Sequence, residues 1–441
     1  MRLRAWLRPG IGVKRWLAVV LLAEAGLALA LALLLRQFYR EVTVDGPLQA
    51  LVYLVTLQFL PYGLRALALG AAGGLLFLVA TYRLVRALTD PVRGEPSATP
   101  LAEAIHRKRL LARGPRVVAI GGGTGLSSLL RGLKEQTSNL TAVVTVADDG
   151  GSSGKLRDQL GLPAVGDIRN CLVALADEEP LMERLLQYRF PLDGAPSELG
   201  GHAVGNLLIA ALAAVEAGDF EEGVRQMHRV LAVRGRVVPV SPTPVVLHAR
   251  RRDGQVVAGQ SVIARTDGIE RVWLTPDEVR PSSDAIRAIG EADLVVVGPG
   301  SLFTSILPNL LVPGVREALL ASPALRVYVC NVATQPGETT GLDLADHVEA
   351  LLAHAAPGIV DLVLANSRLE PRSPAEGASP VALRWPPELG VGVGAPRLVL
   401  DEVVDPGRPH HHEPSLLAAA LLRLLEREGR NRRGAREARS A

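Results

Sequence analysis

Residues 117–154 constrain this chain more than any other stretch: VVAIGGGTGLSSLLRGLKEQTSNLTAVVTVADDGGSSG. An apolar, strand-like run (Val117–Ile120) enters a turn carrying Gly121, Gly122, Gly123 and Gly125. A helix-like run follows, and a second apolar strand, Leu140–Ala147, ends in Asp148-Asp149-Gly150-Gly151-Ser152-Ser153-Gly154. Strand, glycine turn, helix and strand in this order fit a parallel pair joined by a crossover helix. Two loops rich in backbone N–H groups and carboxylates then stand at the ends of neighbouring strands, a place to hold a nucleotide.

The rest of the chain extends that pattern. Strand-like runs recur at Leu294–Val297, Arg326–Val332, Ile359–Ala365 and Leu398–Val404, with helical stretches such as His202–Ala217 and Asp343–His354 between them. The alternation predicts an α/β fold: a mainly parallel sheet with helices on both faces. One section departs from it. Val245–Arg251 and Val256–Arg265 flank Arg252-Asp253-Gly254-Gln255, and Asp-Gly between alternating runs signals a hairpin. With Arg271–Leu274 as a third strand, this predicts a small antiparallel insertion at a sheet edge.

The first 89 residues read differently. Trp16–Leu35 holds a single charge, Glu24, and twenty helical residues span roughly 30 Å, the thickness of a bilayer core. A second apolar segment runs to Tyr82. A two-helix transmembrane hairpin is expected, with spans at about residues 16–36 and 64–82. A cleaved signal peptide is the rival reading; the length of the first run and the second span argue against it. Arginines and lysines before the first span and after the second place both termini, and the main domain, on the cytoplasmic face of the inner membrane. Residues 90–115 read as a linker and a basic helix, 116–428 as one ligand-binding domain, and 429–441 as a basic, disordered tail. Two cysteines, Cys171 and Cys330, give neither a disulfide framework nor a zinc site. The net charge of +3 and the lack of aromatics interleaved with basic residues speak against nucleic acid.

Six polar clusters follow apolar runs. The loop Gly121-Gly122-Gly123-Thr124-Gly125 permits close approach of a phosphate to backbone N–H groups. It is not the dinucleotide fingerprint, because Leu126 stands where a third glycine is required, and it lacks a P-loop lysine. Asp148 and Asp149 offer carboxylates for a ribose or for Mg²⁺, followed by Ser152 and Ser153. Asp167 reads either as a helix N-cap or as part of the site, with Arg169 and Asn170 beside it and Arg169 suited to a phosphate. His202 and Asn206, four apart, are expected on one helix face. Gly298, Gly300, Ser301 and Thr304 repeat the glycine turn and helix start after a later strand, and Asn331 and Gln335 follow the next one. The run His410-His411-His412 reads as a solvated loop with at most adventitious metal affinity.

In order, AIGGGTGLSSLLRGLK, VTVADDGGSSGKLR, GDIRNCLVALA, YRF (188–190), GHAVGNLLIAAL, GPGSLFTSILPNLL and NVATQPGETTG resemble the motifs of the gluconeogenesis factor family (YvcK-type), within the CofD-like superfamily that includes 2-phospho-L-lactate transferase. The resemblance runs from Arg116 to about Val404. It implies a Rossmann-like fold that binds a UDP-linked sugar such as UDP-N-acetylglucosamine, and a role in cell shape and cell-wall precursor supply during gluconeogenic growth. On this reading Gly121–Gly125 cradle the pyrophosphate and Asp148 or Asp149 binds ribose or a metal. His202, Asn206, Ser301 and Thr304 meet the sugar or second phosphate. A homo-oligomer and a protein partner in cell-wall synthesis are further expectations. The rivals are a metal-dependent phospholactate-type transferase acting with a nucleotide-activated donor, a nicotinamide-dependent dehydrogenase, against which Leu126 argues, and a scaffold whose ligand is incidental.

Overall fold

The structure is a computed structural model. It describes residues 101–440 apart from 177–178, 193–198 and 369–377, together with scattered residues between 22 and 79. The chain divides into two units, residues 1–110 and 111–441. Most of the first expected membrane span and about half of the second lie outside the described residues. Among the described ones, no helix is long and apolar enough to cross a membrane. Those between Gly63 and Val79 are helical apart from the gaps, and Leu64, Leu67 and Leu75 are exposed. The expected basic helix is present as Leu101–Leu111.

The second unit is built on a parallel sheet. Its strands are β1 Val117–Gly121, β2 Leu140–Val144, β3 Arg236–Pro239, β7 Leu294–Val297, β8 Leu325–Val329, β9 Leu362–Asn366 and β10 Arg397–Asp401, in the order β10-β9-β8-β7-β1-β2-β3. Every neighbouring pair runs parallel. The side chains of a strand point alternately to the two faces, yet β1, β2, β7 and β9 are buried at every position. Both faces are therefore covered, which is why these strands read as unbroken apolar runs rather than as alternation. Each fully buried Val, Ile or Leu contributes about 1.5–3 kcal/mol. β3 escaped the sequence reading because only four residues, RVVP, carry it.

The antiparallel insertion is also present: β4 Val246–Arg251, β5 Val256–Ala258 and β6 Ile269–Thr275, in the order β5-β4-β6. The Asp-Gly turn forms, with Gly254 at φ +86° and its N–H donating to Arg251 O. The second strand is shorter than expected. At Gly259 (φ +98°) the chain leaves the sheet and makes the helical turn Gln260–Ile263. A further ribbon, β11 Val404–Asp405 with β12 Arg408–His412, takes up the segment expected as a solvated histidine loop. The last helix, Pro414–Ser440, continues through the tail expected to be disordered; Arg and Ala, which dominate there, are both good helix formers.

Candidate functional site

The strand order fixes where a ligand can sit. From β1 the chain moves outward through β2 and β3, then returns to β7 on the other side of β1 and continues through β8, β9 and β10. Loops leaving the carboxyl ends of β1 and β7 diverge, and in open parallel sheets ligands bind in the crevice this creates. A cleft of about 370 Å³ lies there, lined by Gly122, Gly123, Thr124 and Gly125 after β1, by Pro299, Gly300, Ser301 and Thr304 after β7, and by Asn331–Pro336 and Glu338 after β8.

Close packing of these loops explains their glycines. A Cβ on Gly125 would lie 2.8 Å from the Pro299 carbonyl oxygen and 3.0 Å from the Gly300 Cα. The helix Gly123–Leu133 starts directly from the loop, and its N-cap, Gly122, supplies no side-chain acceptor. Among the described residues the first-turn N–H groups of Thr124 and Gly125 therefore have no intrahelical or capping partner, the condition for an anion site. Asn309 holds the loop from below, its Nδ2 donating to Gly121 O (3.0 Å) and Ser305 O (2.7 Å).

The loop after β7 behaves differently. The segment Leu302–Ile306 opens the next helix, but its first N–H groups are already taken. Glu338 Oε1 accepts from Phe303 N (2.8 Å) and Thr304 N (3.2 Å), and Oε2 accepts from Thr304 Oγ1 (3.0 Å). The phosphate cradle expected after Gly298 and Gly300 is thus filled by the protein's own carboxylate. Burial raises the Glu338 pKa to about 7 against the opposing pull of these three hydrogen bonds. Asn331 pins the turn from both sides, accepting from Gly300 N (3.2 Å) and donating to Gly300 O (2.9 Å), and Gln335 Nε2 donates to Ser301 Oγ (2.9 Å). Gly298 N donates to Ile120 O, tying β7 to β1.

A second cluster shares the glycine loop as a wall. Asp167 is half-buried and accepts the Gly123 N–H; desolvation, then the charge of Asp148, raises its pKa to about 7. Glycine at 122 is required here, because a Cβ would lie 2.4 Å from Asp167 Oδ2. Asp167 is therefore not the helix cap. Val165 holds that position for Gly166–Leu175, without a side-chain hydrogen bond. Arg169 is buried beside it; Nη2 donates to Asn170 Oδ1 (2.9 Å), while Nε and Nη1 have no hydrogen-bond partner among the described residues. Burial, then Arg189, lowers the Arg169 pKa. Ser152 Oγ accepts from Ala203 N (3.3 Å) and shares a hydrogen bond with His202 Nδ1 (3.2 Å). Burial keeps the His202 pKa below the usual imidazole value. His202 precedes its helix, Val204–Val215, rather than lying on it with Asn206 as expected. Asn206 is buried in the first turn.

The two expected acids part company. Asp148 Oδ1 accepts from Gly150 N (2.9 Å) and its carboxylate faces Asp167 and Ser153 across Gly166. Asp149 Oδ1 accepts from Ser261 N (2.8 Å), anchoring the insertion. Among the described residues no three His, Cys, Asp or Glu groups gather as a metal site.

Several lining residues carry no strong sequence signal: Ser128, Gln260 and Ala264 from the insertion turn, Ala378, and His410–His412 from β12. His412 is buried, with its pKa lowered to about 4 by burial, although it donates to Cys330 O. It is a neutral wall of the cleft at physiological pH rather than part of a solvated loop.

A doubly covered parallel sheet with an open helix N-terminus at its switch point defines an α/β protein of the Rossmann-like class with a candidate anion site. The sequence profile of the family described as 2-phospho-L-lactate transferase CofD matches residues 117–384. The gluconeogenesis factor of Bacillus subtilis is 53% identical over 254 residues, covering 57% of this chain and 79% of its own. A relative of the same family name from Deinococcus radiodurans is 39% identical over 447 residues, covering 96% of this chain and 90% of its own. A crystal structure of a Bacillus halodurans protein superposes with TM-score 0.64 at 44% identity, covering 70% of this chain and 100% of that one. The chain belongs to the gluconeogenesis factor family (YvcK-type), whose domain has the CofD-like fold.

Proposed function

We propose that this protein is a nucleotide-sugar-binding regulator held at the inner membrane with its main domain in the cytoplasm. One observation carries the ligand reading: the uncapped first turn at Thr124 and Gly125 opens onto a cleft of about 370 Å³ at the switch point, large enough for a small organic ligand. The diphosphate of a UDP-sugar sits on Gly122–Gly125, and the sugar or base lies toward Ser301, Asn331 and Gln335. Exposed Leu64, Leu67 and Leu75 on the helical residues of the first unit support the membrane anchor. The names of the relatives support a role in gluconeogenic growth; a part in cell-wall precursor supply and cell shape, and a protein partner there, are what the resemblance of the sequence motifs implies.

A transferase is the second reading, favoured by half-buried Asp148 and Asp167 and buried Arg169 behind the glycine loop. Where Mg²⁺ takes part, Asp148 and Asp167 are the carboxylates that fit it, since the Asp148 charge opposes ionisation of Asp167 and a divalent cation would remove that penalty. The ion would supply charge neutralisation for a phosphate. Calorimetric titration of the full-length chain with UDP-N-acetylglucosamine, GDP and NAD, with and without Mg²⁺, tests both readings. Saturable binding of the UDP-sugar without turnover is the expected result. Preference for GDP with metal establishes the transferase, and binding of none of the three removes the nucleotide reading.

A further inference from the structure

Two helix starts converge on the cleft, and they are not equivalent. At Gly123–Leu133 the first-turn N–H groups of Thr124 and Gly125 are open; at Leu302–Ile306 those of Phe303 and Thr304 are occupied by the Glu338 carboxylate. The two starts touch. A Cβ on Gly123 would stand 3.8 Å from Ser305 Oγ, and a Cβ on Gly125 would meet the Pro299 carbonyl. The Glu338 carboxylate is thus held beside the phosphate end of the cleft. It lies in a wall that leaves it 3% exposed, where water screens its field poorly. Three donors fix its position, so it cannot swing away from an incoming anion.

We infer that Glu338 is a specificity-determining residue that admits a nucleoside diphosphate esterified to a sugar and rejects nucleotides with more phosphate charge. This rests on the nucleotide-sugar reading of the same cleft. A sugar ester of a diphosphate carries two negative charges, whereas a nucleoside triphosphate carries about four near neutral pH, its terminal phosphate ionising with a pKa of about 6 to 7 as phosphomonoesters do. A fixed carboxylate at the end of the cradle charges the second ligand roughly twice the repulsion of the first. The neutral remainder of the wall, Asn331, Gln335 and uncharged His412, suits a sugar or base in place of a third phosphate.

The test compares UDP-N-acetylglucosamine with UTP on the full-length chain by calorimetry at mildly alkaline pH, where Glu338 is ionised. The wild-type chain is expected to prefer the UDP-sugar. Glu338→Gln keeps an acceptor for Phe303 and Thr304 and removes the charge; it narrows that preference by about tenfold, mainly through tighter UTP binding. Glu278→Gln removes an exposed carboxylate that does not line the cleft, and keeps the preference. Should Glu338→Gln not fold, the wild-type chain is titrated with UTP carrying a methyl ester on its terminal phosphate, which has one charge fewer and is expected to bind more tightly than UTP. An unchanged preference in Glu338→Gln, or equal binding of UTP and its methyl ester, with UDP-sugar binding intact overturns the role of Glu338 and leaves the nucleotide-sugar reading standing. So does an equal narrowing in Glu278→Gln. Failure of the wild-type chain to bind the UDP-sugar removes both.

Discussion

Asp167 shows how one side chain couples the glycine loop to pH. Desolvation of its half-buried carboxyl and the charge of Asp148 raise its pKa from 3.8 to about 7, against the opposing pull of the Gly123 N–H. A raised carboxyl pKa means that the folded chain binds more protons than the unfolded chain between those two values. Stability contributed by this group is therefore full below pH 4 and falls as pH rises to about 7. Buried neutral His228 and His412, both lowered to about 4, act in the opposite direction. The clean measurement is thus a difference. Denaturant unfolding of Asp167→Asn and wild type across this range should show the variant gaining on wild type as pH rises, by at most about 4 kcal/mol. A difference that is flat with pH would show that Asp167 titrates normally in the fold.

At the scale of elements, the helix Gly123–Leu133 is held between its loop and the last helix. A Cβ on Gly132 would lie 1.9 Å from the Pro414 carbonyl oxygen and 3.1 Å from the Ala418 Cβ. Alanine normally stabilises a helix interior over glycine by about 1 kcal/mol, but here the overlap with backbone wins. Gly132→Ala should lower stability by about 1–3 kcal/mol, read as a fall in melting temperature; an unchanged or raised value would mean that the last helix is not seated there. Elements also explain what the sequence could reveal. β1, β2, β7 and β9 are legible because burial on both faces leaves an apolar run. The glycine and Asp-Gly turns are legible because their backbone geometry admits few residues. Glu338 was not legible as a cap, because its partners lie 34 and 35 positions away. Gln260 and His410–His412 were missed for the same reason: they reach the cleft from antiparallel pieces that return from elsewhere in the chain. Asp148 and Asp149, adjacent in sequence, looked like a pair until the backbone turned them to different partners.

For the whole molecule, residues 111–441 form a unit with its own buried core. The Bacillus halodurans structure, matched along its entire length, covers only 70% of this chain, so a fold of this kind stands without the remainder. Deleting residues 1–89 is accordingly expected to leave a folded chain that still binds a UDP-sugar, and to move it from the membrane pellet to the supernatant after fractionation. Recovery of the full-length chain in the supernatant would remove the proposed anchor.

The hydrogen bond from Ser261 N to Asp149 has a reach beyond its 2.8 Å. It joins the loop after β2, which carries Asp148 on one side, to the turn whose Gln260 and Ala264 wall the cleft. Asp167 makes a matching link from the acidic cluster to Gly123. The cleft and the acidic cluster thus share the glycine loop and the insertion turn as common walls. Any ligand effect carried from one to the other through those walls must, by thermodynamic reciprocity, be returned by the same factor.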